Sequence, residues 1–171
     1  MTLFTPMNEL VNAIWIILPA YIANMTACTF GGGKPLDLNK KFIDGKRIIG
    51  DGVTVRGTLS GIFFGAVTAV LQSFFSDYTL KFSLLLGFLM GLGAVLGDLV
   101  ESFFKRRINL KQGDPLPLFD QLDFIFGALI LSRPLLHLSL QTIFIILFIT
   151  PVLHFSTNYV GYKLKLKEVP W

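Results

Sequence analysis

Apolar residues run almost unbroken through about 10–30, 58–75 and 82–104, and again for some 40 residues through 119–159. A helix needs roughly 20 mostly apolar residues to span a bilayer, so each of the first three runs predicts one membrane helix. The last is too long for one span and long enough for two, with Arg133-Pro134 to 139 as the turn between them. The first run has no basic start and no small-residue cleavage site leading into a soluble domain, so it reads as a retained span and not a signal peptide. The pattern therefore predicts an all-α integral membrane protein of five transmembrane helices, one catalytic domain over 1–171.

Composition supports this class and removes others. The chain is 53% apolar and 15% charged with mean hydropathy +0.64, against about 25% charged in a typical soluble domain. A single cysteine, Cys28, excludes a disulfide scaffold and a thiolate zinc site. Seventeen phenylalanines with so few charges exclude disorder.

Charge then sets an expected orientation, because Lys and Arg of short loops stay on the cytoplasmic side. Segments 31–57, 102–118 and 160–171 hold 13 of the 15 basic residues, and with five spans all three fall on one side. Only Lys81 and Arg133 remain for the other. The expected arrangement is a multi-pass protein of the cell membrane, N-terminus outside, C-terminus and active site cytoplasmic.

The basic segments carry more than topology. The first contains Gly31-Gly32-Gly33-Lys34-Pro35, then Gly45-Lys46-Arg47, Gly50-Asp51-Gly52 and Arg56-Gly57. Glycines let backbone amides approach an anion, and nearby cations neutralise it, so Gly32, Gly33, Lys34, Lys46, Arg47 and Arg56 are candidate phosphate contacts. The spacing is not that of a P-loop. A turn-rich connector with cytoplasmic charge accounts for the same residues.

In the third run Gly87 and Gly91, like Gly93 and Gly97, stand four apart, as do Gly61 and Gly65 in the second, which permits close helix approach in lipid. Asp98 follows at the end of the apolar stretch. An acid there is costly unless it faces water, a cation or the bundle interior. At helical spacing it shares a face with Glu101, Ser102 and Lys105. Asp120 and Asp123 then make a second carboxylate pair where the fourth helix begins. The helix dipole stabilises acids in a first turn by about 0.3–1 kcal/mol each, which explains one of them better than two. Oxygen ligands without cysteine point to a hard cation such as Mg²⁺, with Asp98, Asp120 and Asp123 as its ligands. His137 and His154 lie apart from these acids and read as packed or interfacial residues.

The string Gly97-Asp98-Leu99-Val100-Glu101-Ser102-Phe103-Phe104-Lys105-Arg106, with Lys111 and then Asp120-Gln121-Leu122-Asp123, resembles the signature of the membrane CTP:phosphatidate cytidylyltransferase family. That signature has Ser, two variable residues, Lys-Arg, four variable residues and Lys-Asp, and ends in Asp-Arg, one variable residue and Asp. Ser102, Lys105, Arg106, Lys111, Asp120 and Asp123 occupy matching positions. Gln112 and Gln121 stand where Asp and Arg are usual, the interval from Lys111 to Asp120 is short, and a His-Gly-Gly stretch is missing. The short chain and the run Phe42-Ile43-Asp44-Gly45-Lys46-Arg47-Ile48-Ile49-Gly50-Asp51-Gly52 are similar to the archaeal branch, the CDP-archaeol synthases.

The resemblance implies transfer of CMP from CTP to a membrane lipid phosphate, an unsaturated archaetidic acid in that branch, with release of pyrophosphate. Together the two substrates carry about six negative charges, so repulsion is the main obstacle and an already anionic nucleophile needs no His base. Asp98, Lys105, Asp120 and Asp123 would be catalytic, three of them holding Mg²⁺. Glu101, Ser102, Arg106 and Lys111 would join the glycine-loop residues in binding substrate, with Asp114 a weaker candidate. The implied partners are CTP, the lipid phosphate and the bilayer, with no nucleic acid, and a homodimer is left open. Other readings are a CDP-diacylglycerol synthase acting on phosphatidate, a CDP-alcohol phosphotransferase, whose Asp-Gly…Ala-Arg spacing is not found here, and a cation channel or transporter using intramembrane acids.

Overall fold

The computed structural model describes residues 9–163 and 165. Five helices follow one another: α1 Glu9–Thr29, α2 Val55–Ser73, α3 Leu80–Arg107, α4 Phe119–Ser132 and α5 Leu140–Lys163. Each coincides with an expected apolar run, and the polar caps set the starts. Thr54 accepts a hydrogen bond from Gly57 N, so α2 begins ahead of the apolar residues; Thr79 accepts from Phe82 N and does the same for α3. Lys105, Arg106 and Arg107 in the last turn of α3 suit the negative end of the helix dipole.

The sequence predicts five spans, and four of the five helices are long and apolar enough to cross a membrane: α1, α2, α3 and α5. The fourth differs. Its 14 residues reach about 21 Å, short of a hydrocarbon layer of about 30 Å. The stop falls at Pro134, which provides no amide hydrogen to continue the helical ladder, although Arg133 before it keeps helical angles.

Helix α3 is the hub, packed on α4, α2 and α1, while α5 touches only α1 and α4. The glycine spacing explains how. A Cβ on Gly65 would lie 3.0 Å from Gly91 Cα, and one on Gly91 3.1 Å from the Gly61 carbonyl, so α2 and α3 meet backbone to backbone. On the other side of α3, a Cβ on Gly93 would collide with the Gly127 carbonyl, and one on Gly97 with that of Asp123. In lipid, where apolar contact alone drives little association, such close approach supplies the packing that holds helices together. Ala13, Ile17, Ala20, Met90, Ala94, Phe124, Ile125, Ala128 and Ile146 form the buried core. The Tyr21 hydroxyl meets Thr150 Oγ1 at 2.8 Å and ties α1 to α5. Large apolar side chains point outward, as at Phe148, which is 82% exposed, and this is the surface a lipid-facing helix requires.

Candidate active site

Alternating helices bring the end of α1, the start of α2, the end of α3 and the start of α4 to one end of the bundle. The acids meet there because Gly97, one residue before Asp98, lies directly against the backbone of Asp123. A larger residue at 97 would hold the two carboxylates apart.

Two of the acids pair with one ammonium. Lys105 Nζ lies 2.7 Å from Glu101 Oε1 and 2.8 Å from Asp120 Oδ2, joining α3 to α4. Asp120 Oδ2 also accepts from Leu116 N at 3.0 Å, while its Oδ1 is buried with no hydrogen-bond partner. Asp123 Oδ1 accepts from Phe124 N at 2.6 Å. Asp98 follows Gly97, which lies against the backbone of Asp123. The Ser102 hydroxyl stands 3.5 Å from Glu101 Oε2, at the limit of a hydrogen bond. Glu101 and Asp120 share a single lysine, and Asp98 and Asp123 make no ion pair among the described residues, so a ligand bringing positive charge would be attracted. Among the described residues, no three acids or histidines are already gathered at a spacing that would chelate one ion.

The glycine-rich connector is folded over this end and is not a loose strap. Its organiser is Asp37, whose side chain is fully buried. Asp37 Oδ1 lies 2.7 Å from Arg47 Nη2 and accepts from Asn39 N, and Oδ2 accepts from Arg47 Nε and the amides of Ile49 and Gly50, each within 3.1 Å. Burial alone would raise the pKa of Asp37, but the Arg47 guanidinium and the three amides outweigh it and hold the carboxyl well below the usual carboxylate range. The connector is fastened to α3 as well. Lys46 Nζ donates to the Arg107 carbonyl at 2.8 Å, Arg107 donates to the Arg47 carbonyl and pairs with Asp44 at 2.9 Å, and its guanidinium sits over Phe103, 4.4 Å from the ring centre. At the other edge Thr54 Oγ1 accepts from Gly32 N at 3.1 Å. Gly32 and Gly33 take φ of +97° and +81°, which leaves this turn to glycine.

The expected residues divide into two groups. Lys105 joins Glu101 to Asp120, Ser102 stands beside Glu101, and the Gly97–Asp123 backbone contact brings the segment carrying Asp98 to that of Asp123. Arg47 and Lys46, expected to meet substrate, are engaged inside the protein, Arg47 by Asp37 and Asp51 and Lys46 by the end of α3. Lys34, Arg56 and Lys111 are exposed at the same end. Arg106 lies against Gly50, and its Nε is buried with no hydrogen-bond partner. Asp114 accepts from Lys111 N at 2.6 Å and so shapes the turn after α3. His154 packs on Phe124 and meets Asn158 at 3.1 Å. Of the expected tail 160–171, Lys163 closes α5 and Lys167 lies outside the described residues. Asp37 and Thr54 were not singled out from sequence. The signal available for Asp37 was an acid before an Asn within a glycine-rich, basic stretch, which is the composition of an Asx turn.

The family model CarS-like, CDP-archaeol synthase, matches residues 7–171. A CDP-archaeol synthase of Methanococcus maripaludis is 49% identical over 95% of this chain and 97% of its own. One of Methanopyrus kandleri is 48% identical over 95% and 94%, and one of Methanocaldococcus jannaschii 44% identical over 93% and 96%. A solved structure of an intramembrane enzyme for archaeal membrane lipid biosynthesis superposes with a TM-score of 0.81 at 36% identity, over 87% of this chain and 94% of that one.

Proposed function

Since the chain belongs to the CDP-archaeol synthase family, we propose that the α3–α4 junction transfers CMP from CTP to a membrane lipid phosphate, an unsaturated archaetidic acid, giving CDP-archaeol and pyrophosphate. A non-bridging oxygen of the lipid phosphate forms the new bond to the α-phosphorus of CTP, the bond from that phosphorus to the β-phosphate bridging oxygen breaks, and pyrophosphate leaves. The observation that carries this reading is the α3–α4 junction, where Lys105 bridges Glu101 and Asp120 and the Gly97–Asp123 backbone contact sets Asp98 beside Asp123, in a chain whose relatives bear the name CDP-archaeol synthase.

The donor set fits a hard divalent cation: several anionic oxygens, one of them, Asp120 Oδ1, buried and without a hydrogen-bond donor. Asp98, Asp120 and Asp123 would hold Mg²⁺, which when bound neutralises phosphate charge and polarises the reacting phosphorus. Lys105 keeps the acids of α3 and α4 at a fixed separation and presents its remaining N–H to a phosphate oxygen. Arg106, Lys111, Lys34 and Arg56 carry positive charge that the fold does not consume, and they would orient the triphosphate and the lipid headgroup. No side-chain base is required, because the attacking oxygen is already an anion.

The positive-inside distribution supports a cytoplasmic location for this end of the bundle. The turn 133–139 then completes the crossing that α4 begins. A water-soluble nucleotide and a lipid phosphate meet at that depth, with the lipid chains left among the helices. The test is purified protein with labelled CTP, Mg²⁺ and a panel of lipid phosphates. A labelled CDP-lipid is expected, formed fastest from the isoprenoid ether phosphate. Absence of any CDP-lipid from all lipids would refute the assignment.

A further inference from the structure

At the opposite end of the bundle a groove of about 790 Å³ opens between the end of α4, the turn after it and the start of α5. Phe126, Ile130 and Ile143 make its apolar wall, and Arg133 and His137 stand at its rim. No acid lines it among the described residues, and Glu9 on the same face is hydrogen-bonded by Gln141. Arg133 and His137 are exposed and make no hydrogen bond or ion pair among the described residues.

Depth makes Arg133 unusual. Gly97 lies against Asp123 and Gly93 against Gly127, so α3 and α4 run antiparallel in a fixed register. Continuing that register sets Arg133 level with Gly87, seven residues inside the start of α3 at Leu80, or about 10 Å at the helical rise. A guanidinium at such depth costs several kcal/mol unless it reaches the interface or meets an anion. The early end of α4 also creates the space beside it, which in a membrane is filled by lipid.

We propose that this groove binds one anionic membrane lipid of the opposite leaflet, its phosphate on Arg133 and the imidazole of His137 and its chains along Ile130, Phe126 and Ile143. The occupant is a lipid and not a soluble phosphate, because the apolar side chains line the same groove as the Arg133 guanidinium. This site is separate from the carboxylate end and requires neither nucleotide nor metal.

The test is native mass spectrometry of the purified protein released from nanodiscs containing equal phosphatidylglycerol and phosphatidylcholine with matched chains, with thermal stability measured in parallel. The wild type is expected to retain one phosphatidylglycerol in preference to phosphatidylcholine. Arg133→Gln should reduce that retention about tenfold, Arg133→Lys should keep most of it, and Asp98→Asn, at the other end, should keep all of it. Added inorganic phosphate should neither compete nor raise the Tm. Equal retention of both lipids by the wild type, a test that needs no variant to fold, overturns the proposal. So does unchanged phosphatidylglycerol retention in Arg133→Gln, or loss of retention in Asp98→Asn.

Discussion

The connector between α1 and α2 and the junction of α3 with α4 lie at the same end of the bundle and treat charge in opposite ways. In the connector every oxygen of Asp37 is matched to a donor, Arg47 is shared between Asp37 and Asp51, and Lys46 and Arg107 are used to fasten the segment to α3. At the junction Glu101 and Asp120 share one lysine, Asp98 and Asp123 have no ion-pair partner among the described residues, and Asp120 Oδ1 has no donor. A satisfied polar network fixes a shape, whereas a surplus of one charge favours a ligand of the opposite sign. Basic residues next to a proposed phosphate site are therefore not equivalent. Those with an internal partner hold the loop, and those without one are the ones proposed to meet substrate.

The sharpest way to break this contrast is at the acids. Asp98→Asn, Asp120→Asn and Asp123→Asn, each purified, should lower metal-dependent release of pyrophosphate by roughly 10³-fold with little change in Tm, because each removes charge from an already over-charged cluster. Near-normal turnover in all three would defeat the division of roles. Next comes Gly97→Val. Its side chain would have to displace the backbone of Asp123, so turnover should fall roughly 10²-fold, in line with the sensitivity of reacting groups to a shift of about 1 Å. Here, unlike in the Asp98 variant, the Tm should fall too, as differential scanning fluorimetry would show.

Asp37→Ala should act the other way round, with stability as the main loss. It leaves Arg47 and three amides without their acceptor, at a cost on the order of 3 kcal/mol. Activity should drop less than in Asp98→Asn, and mostly through a higher KM for CTP. A pH titration sharpens the same point. The folded pKa of Asp37 lies below its unfolded value, so its stabilisation is fully present above the unfolded pKa of about 4 and is lost as pH falls from there through the folded pKa. Over that acid range the wild type should lose Tm more steeply than Asp37→Ala. The smallest effect is expected at the exposed cations. Arg56→Ala should raise the KM for CTP several-fold, by about 1 kcal/mol of lost binding, at unchanged Tm, whereas Arg47→Ala should lower Tm as well. If the two variants behave alike, the distinction between engaged and free cations fails.

Much of this site was legible in the chain. Asp98, Glu101 and Lys105 lie on one helical face by spacing alone, and the resemblance drew Asp120 and Asp123 to them. The glycines at 61, 65, 87, 91, 93 and 97 marked the contact lines of α2 and α3. The partners across those lines were not readable, because spacing within one helix says nothing about which neighbour fills its groove; that Gly97 meets Asp123 follows only from how α4 docks. Arg47 illustrates the same limit. Read as a phosphate contact, it is held by an acid ten residues earlier, and only the folded turn brings Asp37 beneath it.

Sequence by itself determined the solvent and the element list, since the number, place and approximate length of the helices follow from where a chain can afford to leave water. It also placed the turn at Arg133-Pro134, but it read the fourth helix as a full span, and only the structure shows that helix to be 14 residues long. The tertiary structure alone decided which charges are spent and which remain available. Charge pairing depends on distances of a few ångströms between residues far apart in the chain, and those distances are set by backbone contacts between glycines, which carry no chemical label of their own.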